Sequence, residues 1–438
     1  MRRKATFKAG LLALALALSA ASAAMAQVTG LYYQEVAKPD ENRVYVFNTP
    51  ERYHSWEQSG DMGTAVTILG AGPNGETIVA ENETAMDLYL FKHNLPAYER
   101  PTPKPVTPPA FPASKFGIRV YADASTKSNK DEATGVKSGD SGVGVDVKRT
   151  YFTFTHQFDA KWSALFQSDI GDQGARRYDV FVKKAFVEYK HNPMATFRLG
   201  SADTPWVPYV EGLYGLRYIE TTITDHLSFG TSADWGFHIL GANPLWGYQF
   251  TVSNGRTYSN PARSKTVDFE GRVSFTPIKG LNLAVGGYSG KRGLETDAVP
   301  AKHTATRQDA LVAYNTDKFK IGGEWFQAKN WTQVDKVPTD KADGFSAWGQ
   351  FIIDPTWSVF ARYDQADPSK DLKPNLQFTY YNAGLQWTLN KAFAASLVYK
   401  YADVEGGTQG TSNGTIGSTN AKEKGKYNEI GVFTVYNF

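Results

Sequence analysis

The 438 residues contain no cysteine. That excludes a disulfide framework, thiolate catalysis and thiolate metal sites. Long apolar runs are missing too. After residue 26 nothing approaches the roughly 18 apolar residues of a membrane-spanning helix. There is also no excess of one charge. The formal net charge of +3 is set by the first 26 residues, where Arg2, Arg3, Lys4 and Lys8 are unopposed by any acid; 47 basic residues less those four leaves 43 against 44 acidic ones. A near-neutral chain argues against nucleic acid as a partner. Histidine is sparse, at seven residues, and neither a metal site nor a cofactor is predicted.

What remains is aromatic and glycine-rich: 14% Phe, Trp and Tyr, 40 glycines and a mean hydropathy of −0.41. The chain opens with a secretory leader. Its basic start is followed by an apolar stretch, Leu11 to Leu18, and a small-x-small cleavage site, Ala24-Met25-Ala26. Export therefore leaves Gln27 as the first residue. Residues 27–100 read as a small α+β module: a strand at 43–47, a helix opened by Thr49 as N-cap with Pro50 behind it, a hairpin of 65–69 with 76–80, and a second helix over 83–92. Residues 101–114 hold prolines too densely for a sheet and read as a semi-rigid spacer.

From 115 to 438 the pattern becomes alternating. Sixteen segments, from 116–126 to 426–438, are joined alternately by tight turns and longer polar loops. Short turns hold residues such as Asp159, Asn192, Asn243, Asp354 and Asn390. The last segment, K-Y-N-E-I-G-V-F-T-V-Y-N-F, places Ile430, Val432, Thr434, Tyr436 and Phe438 on one face and ends the chain on an aromatic. Together these features predict an all-β transmembrane barrel of about 16 antiparallel strands, preceded by the small α+β segment. An even strand number puts both barrel ends on the periplasmic side, with the module, in a Gram-negative outer membrane.

Period 2 assigns the faces. The apolar set faces lipid; Arg119, Arg149, Arg198, Arg272, Arg362 and Lys184 fall on the lumenal set, with Asp123, Asp268, Glu270, Glu324 and Asp364 beside them. A file of arginines suits oxyanions, which guanidinium binds through paired hydrogen bonds. If each arginine is instead paired with a neighbouring acid, the wall is polar and weakly selective. Residues 203–227 form the third long loop and are predicted to turn into the lumen and narrow it. Trp206, Tyr209, Tyr214 and Tyr218 are there to stack on a sugar or to pin the loop to the wall; Arg217 and Glu211 supply charge.

The runs K-R-T-Y-F-T-F (148–154), Y-D-V-F-V-K-K-A-F-V-E-Y-K (178–190), R-L-G-S-A-D-T-P-W-V-P (198–208), F-G-T-S-A-D-W-G (229–236) and E-G-R-V-S-F (270–275) resemble the phosphate-selective porin family over about 115–438. The resemblance implies a sixteen-stranded homotrimer with arginines along an anion path and basic residues on the constriction loop. Arg149, Arg198 and Arg272 fit the file. The loop departs from the pattern: between 203 and 220 it has Arg217 but no lysine, and it carries Glu211 and Glu220.

The expected function is passive diffusion of small hydrophilic solutes with an anion or phosphate preference. A carbohydrate or general diffusion porin is the alternative within transport. A plugged barrel that anchors the 27–100 module is another. A hydrolase is disfavoured: His156 and His238 lie in strands, with no motif placing a serine beside them. Expected partners are small anionic or neutral solutes, outer-membrane lipid and lipopolysaccharide, and further copies of the chain.

Overall fold

The computed structural model describes residues 32–98, 111–172, 178–420 and 422–438. The leader and most of the proline-rich spacer lie outside them. The chain divides into two compact units between Pro108 and Pro109.

In the first unit, β1 (Gln34–Lys38), β2 (Arg43–Phe47), β3 (Val66–Ile68) and β4 (Thr77–Ala80) form one sheet in the order β1-β2-β4-β3. The helices α1 (Pro50–Ser59) and α2 (Glu83–Lys92) accompany it. Alternation sends the strand side chains to two cores. Val44, Val46, Ile78 and Ala80 pack with Met86, Tyr89 and Leu90 of α2, while Tyr45, Phe47 and Val79 pack with Trp56 of α1. The edge strand β1 has no counterpart in the expected elements, because Val36 is its one residue in either core. Thr49 stands at the N-cap of α1, but its hydroxyl donates to Glu81 instead of capping. Asn82 does cap α2, its Oδ1 accepting from Ala85 N at 2.9 Å.

The second unit is a closed antiparallel barrel. Its strands are β5 (Ala113–Asp131), β6 (Gly142–Gln157), β7 (Trp162–Asp172), β8 (Tyr178–Asn192), β9 (Ala195–Asp203), β10 (Ala233–Ala242), β11 (Trp246–Ser253), β12 (Asp268–Phe275), β13 (Leu281–Gly290), β14 (Ala305–Asn315), β15 (Phe319–Lys329), β16 (Lys341–Ile352), β17 (Trp357–Asp367), β18 (Gln377–Thr388), β19 (Phe393–Glu405) and β22 (Lys424–Asn437). Between the last two, β20 (Thr408–Thr411) and β21 (Gly414–Gly417) form a separate hairpin in the final long loop. β22 pairs with both β19 and β5, and Phe438 exchanges backbone hydrogen bonds with Ile118 to complete the seam.

All sixteen expected strands are present. Two ends differ. β5 starts at Ala113, inside the span read as spacer, because Pro112 is the last proline and Ala113 is free to pair with Gln157. β10 starts at Ala233, not 228, because Phe229 is drawn into an interior cluster instead of the ladder. The short turns share one device: Asp159, Asn192, Asn243, Asp354 and Asn390 each accept from backbone N–H groups two or three residues ahead. This local bond competes with further strand pairing and fixes the reversal.

Burial is inverted relative to a soluble sheet. Leu199, Val285 and Leu397 are exposed on the outside, while Asp268, Arg272, Asp309, Asp364, Lys400 and Glu429 are buried inside. Apolar side chains meet lipid and charged ones fill the interior. No helix among the described residues is long and apolar enough to cross a membrane.

Candidate functional site

Residues 204–232 connect β9 and β10 and turn into the barrel. Pro208 near its start and Gly215 in the left-handed region at its end delimit α3 (Val207–Tyr214); α4 (Ile223–His226) follows. The apolar side of α3 lies against the wall. Trp206, Val210, Tyr214, Leu216, Tyr218 and Ile219 share one buried cluster with wall residues such as Leu311, Trp348, Phe360 and Val398. Ile223, Leu227 and Phe229 share a second cluster with Phe326, Phe378, Tyr380 and Ile416 of the β20–β21 hairpin.

Four wall cations clamp the loop by its backbone. Arg272 Nε donates to Pro205 O at 2.9 Å, Arg307 Nη1 to Phe229 O at 2.7 Å, Arg362 Nη1 to Thr221 O at 2.5 Å and Lys400 Nζ to Ile219 O at 2.8 Å. Three of them are neutralised at the same time: Arg307 by Glu270 and Asp309, Arg362 by Asp364, and Lys400 by Glu220 and Glu429. Arg272 lies over the Tyr209 ring, 3.8 Å from its centroid. The buried carbonyls of an irregular segment need donors, and these long cationic side chains supply them.

The space left open lies on the other side. A cavity of about 450 Å³, hereafter the passage, is bordered by β5 to β9, by the end of β22 and by the loop. Its cations are Arg119, Lys183, Lys184 and Arg217; its carboxylates are Asp203 and Glu211. Lys184 Nζ is 2.5 Å from Asp203 Oδ1, and Arg217 Nε is 2.5 Å from Glu211 Oε1. Arg119 donates to Asn437 Oδ1 at 2.7 Å.

Two irregularities shape this wall. Tyr121 pairs with Arg149 but Ala122 with Val147, so Lys148 is an extra residue in β6. Gln167 pairs with Lys184 but Ser168 with Val182, so Lys183 is an extra residue in β8. Each is a β-bulge, and each turns two consecutive cations inward where strict alternation allows one. Lys148 is held by Asp123 at 3.1 Å and Arg149 by Asp169 at 2.9 Å.

The residues singled out from sequence therefore separate. Arg119, Lys184, Arg217 and Glu211 border the passage. Arg149 is ion-paired on the same wall. Arg198 is paired with Glu188 at 2.7 Å and stacked on Phe186. Arg272 and Arg362 lie beneath the loop with their donors engaged. Trp206, Tyr214 and Tyr218 are also buried, through contacts including Trp206 Nε1 to Glu324 at 3.1 Å and Tyr218 OH to Ser396 Oγ at 2.6 Å, so their rings are turned away from any solute. Lys183 was not among the expected site residues. Its signal was in the sequence: Val180 and Val182 share one parity and Val187 has the other, which requires an extra residue between them.

His156 does have a serine neighbour, with Ser114 Oγ 2.8 Å from Nδ1. No carboxylate among the described residues is hydrogen-bonded to that imidazole, so the third member of a nucleophilic triad is missing there.

A sequence model described as Gram-negative porin matches residues 12–407. No match is found among curated protein sequences. Among solved structures, the anion-selective porin from Comamonas acidovorans superposes with a TM-score of 0.53 at 13% identity, over 74% of this chain and 100% of that one. The outer membrane channel DcaP of Acinetobacter baumannii gives 0.52 at 10% identity, over 74% and 97%. The trimer form of OmpT, an outer membrane protein of Vibrio cholerae, gives 0.51 at 14%, over 74% and 99%. At these identities the likeness is one of fold.

Proposed function

The chain belongs to the Gram-negative porin family and is a β-barrel of the outer membrane; from that premise we infer that it is a diffusion channel preferring small anions. The observation that carries this reading is the charge of the open passage, four side-chain cations bordering it against two side-chain carboxylates. A fixed positive excess in a narrow aqueous path lowers the barrier for anions and raises it for cations. Salt bridges along the wall leave the field weak enough for an anion to depart. The buried loop aromatics favour this reading over a sugar slide, which needs exposed rings. Phosphate is among the anions of suitable charge and size. We further place residues 27–100 in the periplasm and expect a homotrimer in the membrane.

The test is the reversal potential of the refolded mature protein in a planar bilayer under a potassium chloride gradient, followed by addition of phosphate. Reversal towards the chloride potential is expected, with phosphate lowering chloride current. Reversal at zero or towards the potassium potential overturns the anion reading.

A further inference from the structure

The cations around the passage are not equivalent. Lys184, Arg217, Arg149 and Lys148 each have a carboxylate within about 3 Å, at 2.5, 2.5, 2.9 and 3.1 Å. An arriving anion has to compete with that carboxylate. Arg119 has a neutral partner, Asn437, but it is exposed at the short-turn end, where water and salt screen it.

Lys183 is different on both counts. Its Nζ lies 4.7 Å from the Tyr151 ring centroid and 5.4 Å from that of Tyr258, and it donates to Tyr151 OH at 3.3 Å. The carboxylates that act on it electrostatically, Asp169 and Glu211, are ion-paired to Arg149 and Arg217 instead. It borders the passage although its side chain is only 7% exposed. Ring faces hold an ammonium in place without cancelling its charge at longer range, and low solvent exposure keeps that charge unscreened.

Its position depends on the bulge. Without the extra residue, the inward parity of β8 in this stretch is met by Lys184 alone, and Lys184 is neutralised by Asp203. The bulge adds one cation without adding an acid.

We propose that Lys183, set into the passage by the β8 bulge and seated on Tyr151 and Tyr258, is the specificity-determining residue of the channel. Of the four bordering cations it is the one that offers a small inorganic or carboxylate anion a water-shielded charge without displacing an ion pair. This inference rests on the anion reading above.

The experiment compares wild type, Lys183→Gln, Lys183→Arg and Lys184→Gln by reversal potential in a potassium chloride gradient. Any variant that gives discrete channel openings has folded and inserted, so selectivity is read only from open channels. Lys183→Gln is expected to lower the chloride-to-potassium permeability ratio by roughly fivefold or more, fivefold being the scale of removing one unit charge about 4 Å from the ion across water. Lys183→Arg keeps the ratio, and Lys184→Gln, which also frees Asp203, lowers it less than Lys183→Gln. An anion-selective wild type whose ratio survives Lys183→Gln overturns this inference and leaves the anion reading standing. A wild type without anion selectivity overturns both. If Lys183→Gln gives no openings, Lys183→Arg together with Tyr258→Leu decides: removing the ring support while the charge is kept should lower the ratio, and an unchanged ratio overturns the proposal.

Discussion

Glu220 is the residue on which the interior converges. Its carboxylate accepts from Ser412 Oγ at 2.7 Å and Asn413 Nδ2 at 2.7 Å, both at the tip of the β20–β21 hairpin. It also faces Lys400 Nζ at 3.4 Å and His226 Nδ1 at 3.2 Å. One side chain thus ties the inner loop, the last long loop and the β19 wall together. Removing it leaves the Lys400 ammonium with Glu429 as its one remaining carboxylate, takes the acceptor from Asn413 Nδ2 and leaves Ser412 Oγ with His226 Nδ1. Breaking a buried pair from one side costs about 3 kcal/mol. Glu220→Ala is therefore expected to loosen residues 204–232 and 408–417 together, seen as faster amide exchange in both segments and as noisier single-channel current. Glu220→Gln, which keeps an acceptor for the hairpin, should fall between Glu220→Ala and wild type. Unchanged exchange in both segments would show that the apolar clusters alone hold the loop.

The β8 bulge makes the corresponding argument for a whole strand. Deleting Lys183 removes a residue that has no partner in β7 and leaves Val182 opposite Ser168 and Lys184 opposite Gln167. The barrel should still form, scored by heat-modifiable migration in detergent gels. Deleting Phe186, a paired residue of the same strand, consumes the bulge instead: Lys183 falls opposite Gln167 and Lys184 opposite Phe166 on the lipid face, so that variant should fold less well than the Lys183 deletion. The same strand shows how far the sequence was legible. The lipid-facing stripe is an environment read directly by period 2, which is why all sixteen strands could be placed and Arg119, Arg149, Arg198, Arg272 and Arg362 assigned to a face. The change of parity between Val182 and Val187 was legible too, and it carried Lys183. Period 2 gives the side of the sheet only. It cannot say that Arg272 and Arg362 lie under a loop while Lys184 does not, because that depends on where residues 204–232 settle, a matter of contacts distant in sequence. β1 and the β20–β21 hairpin escaped because each adds a single apolar residue to a core, the half-buried Val36 and the buried Ile416, which is too little to form a pattern.

At the scale of the molecule, the loop divides the lumen unequally. A sixteen-stranded barrel encloses an aqueous channel when empty. Here the four backbone clamps hold the loop to β12, β14, β17 and β19, its apolar clusters reach Tyr121, Tyr151 and Phe433 as well, and the cavity lies off-centre, along β5 to β9; on the anion-channel reading this is the route for solutes. The 450 Å³ of this cavity holds roughly 15 waters at about 30 Å³ each, enough for a small hydrated ion. The absence of cysteine makes the asymmetry measurable, since each introduced thiol is the sole target of a thiol reagent. Thr153→Cys and Gln167→Cys place a thiol in the passage. Ala313→Cys and Ser396→Cys place it under the loop, at positions that are 1% exposed. A small anionic methanethiosulfonate applied to open channels should reduce current through the first pair within seconds and leave the second pair unchanged. Equal reactivity at Ala313 and Gln167 would mean that the loop leaves the wall and the route is central. The clamps would then be transient contacts, and the positive excess would belong to the whole lumen. Protection of Ala313 in wild type that is lost on adding Glu220→Ala would join this measurement to the first, because the carboxylate that ties the hairpin to the loop would then be what keeps the route on one side.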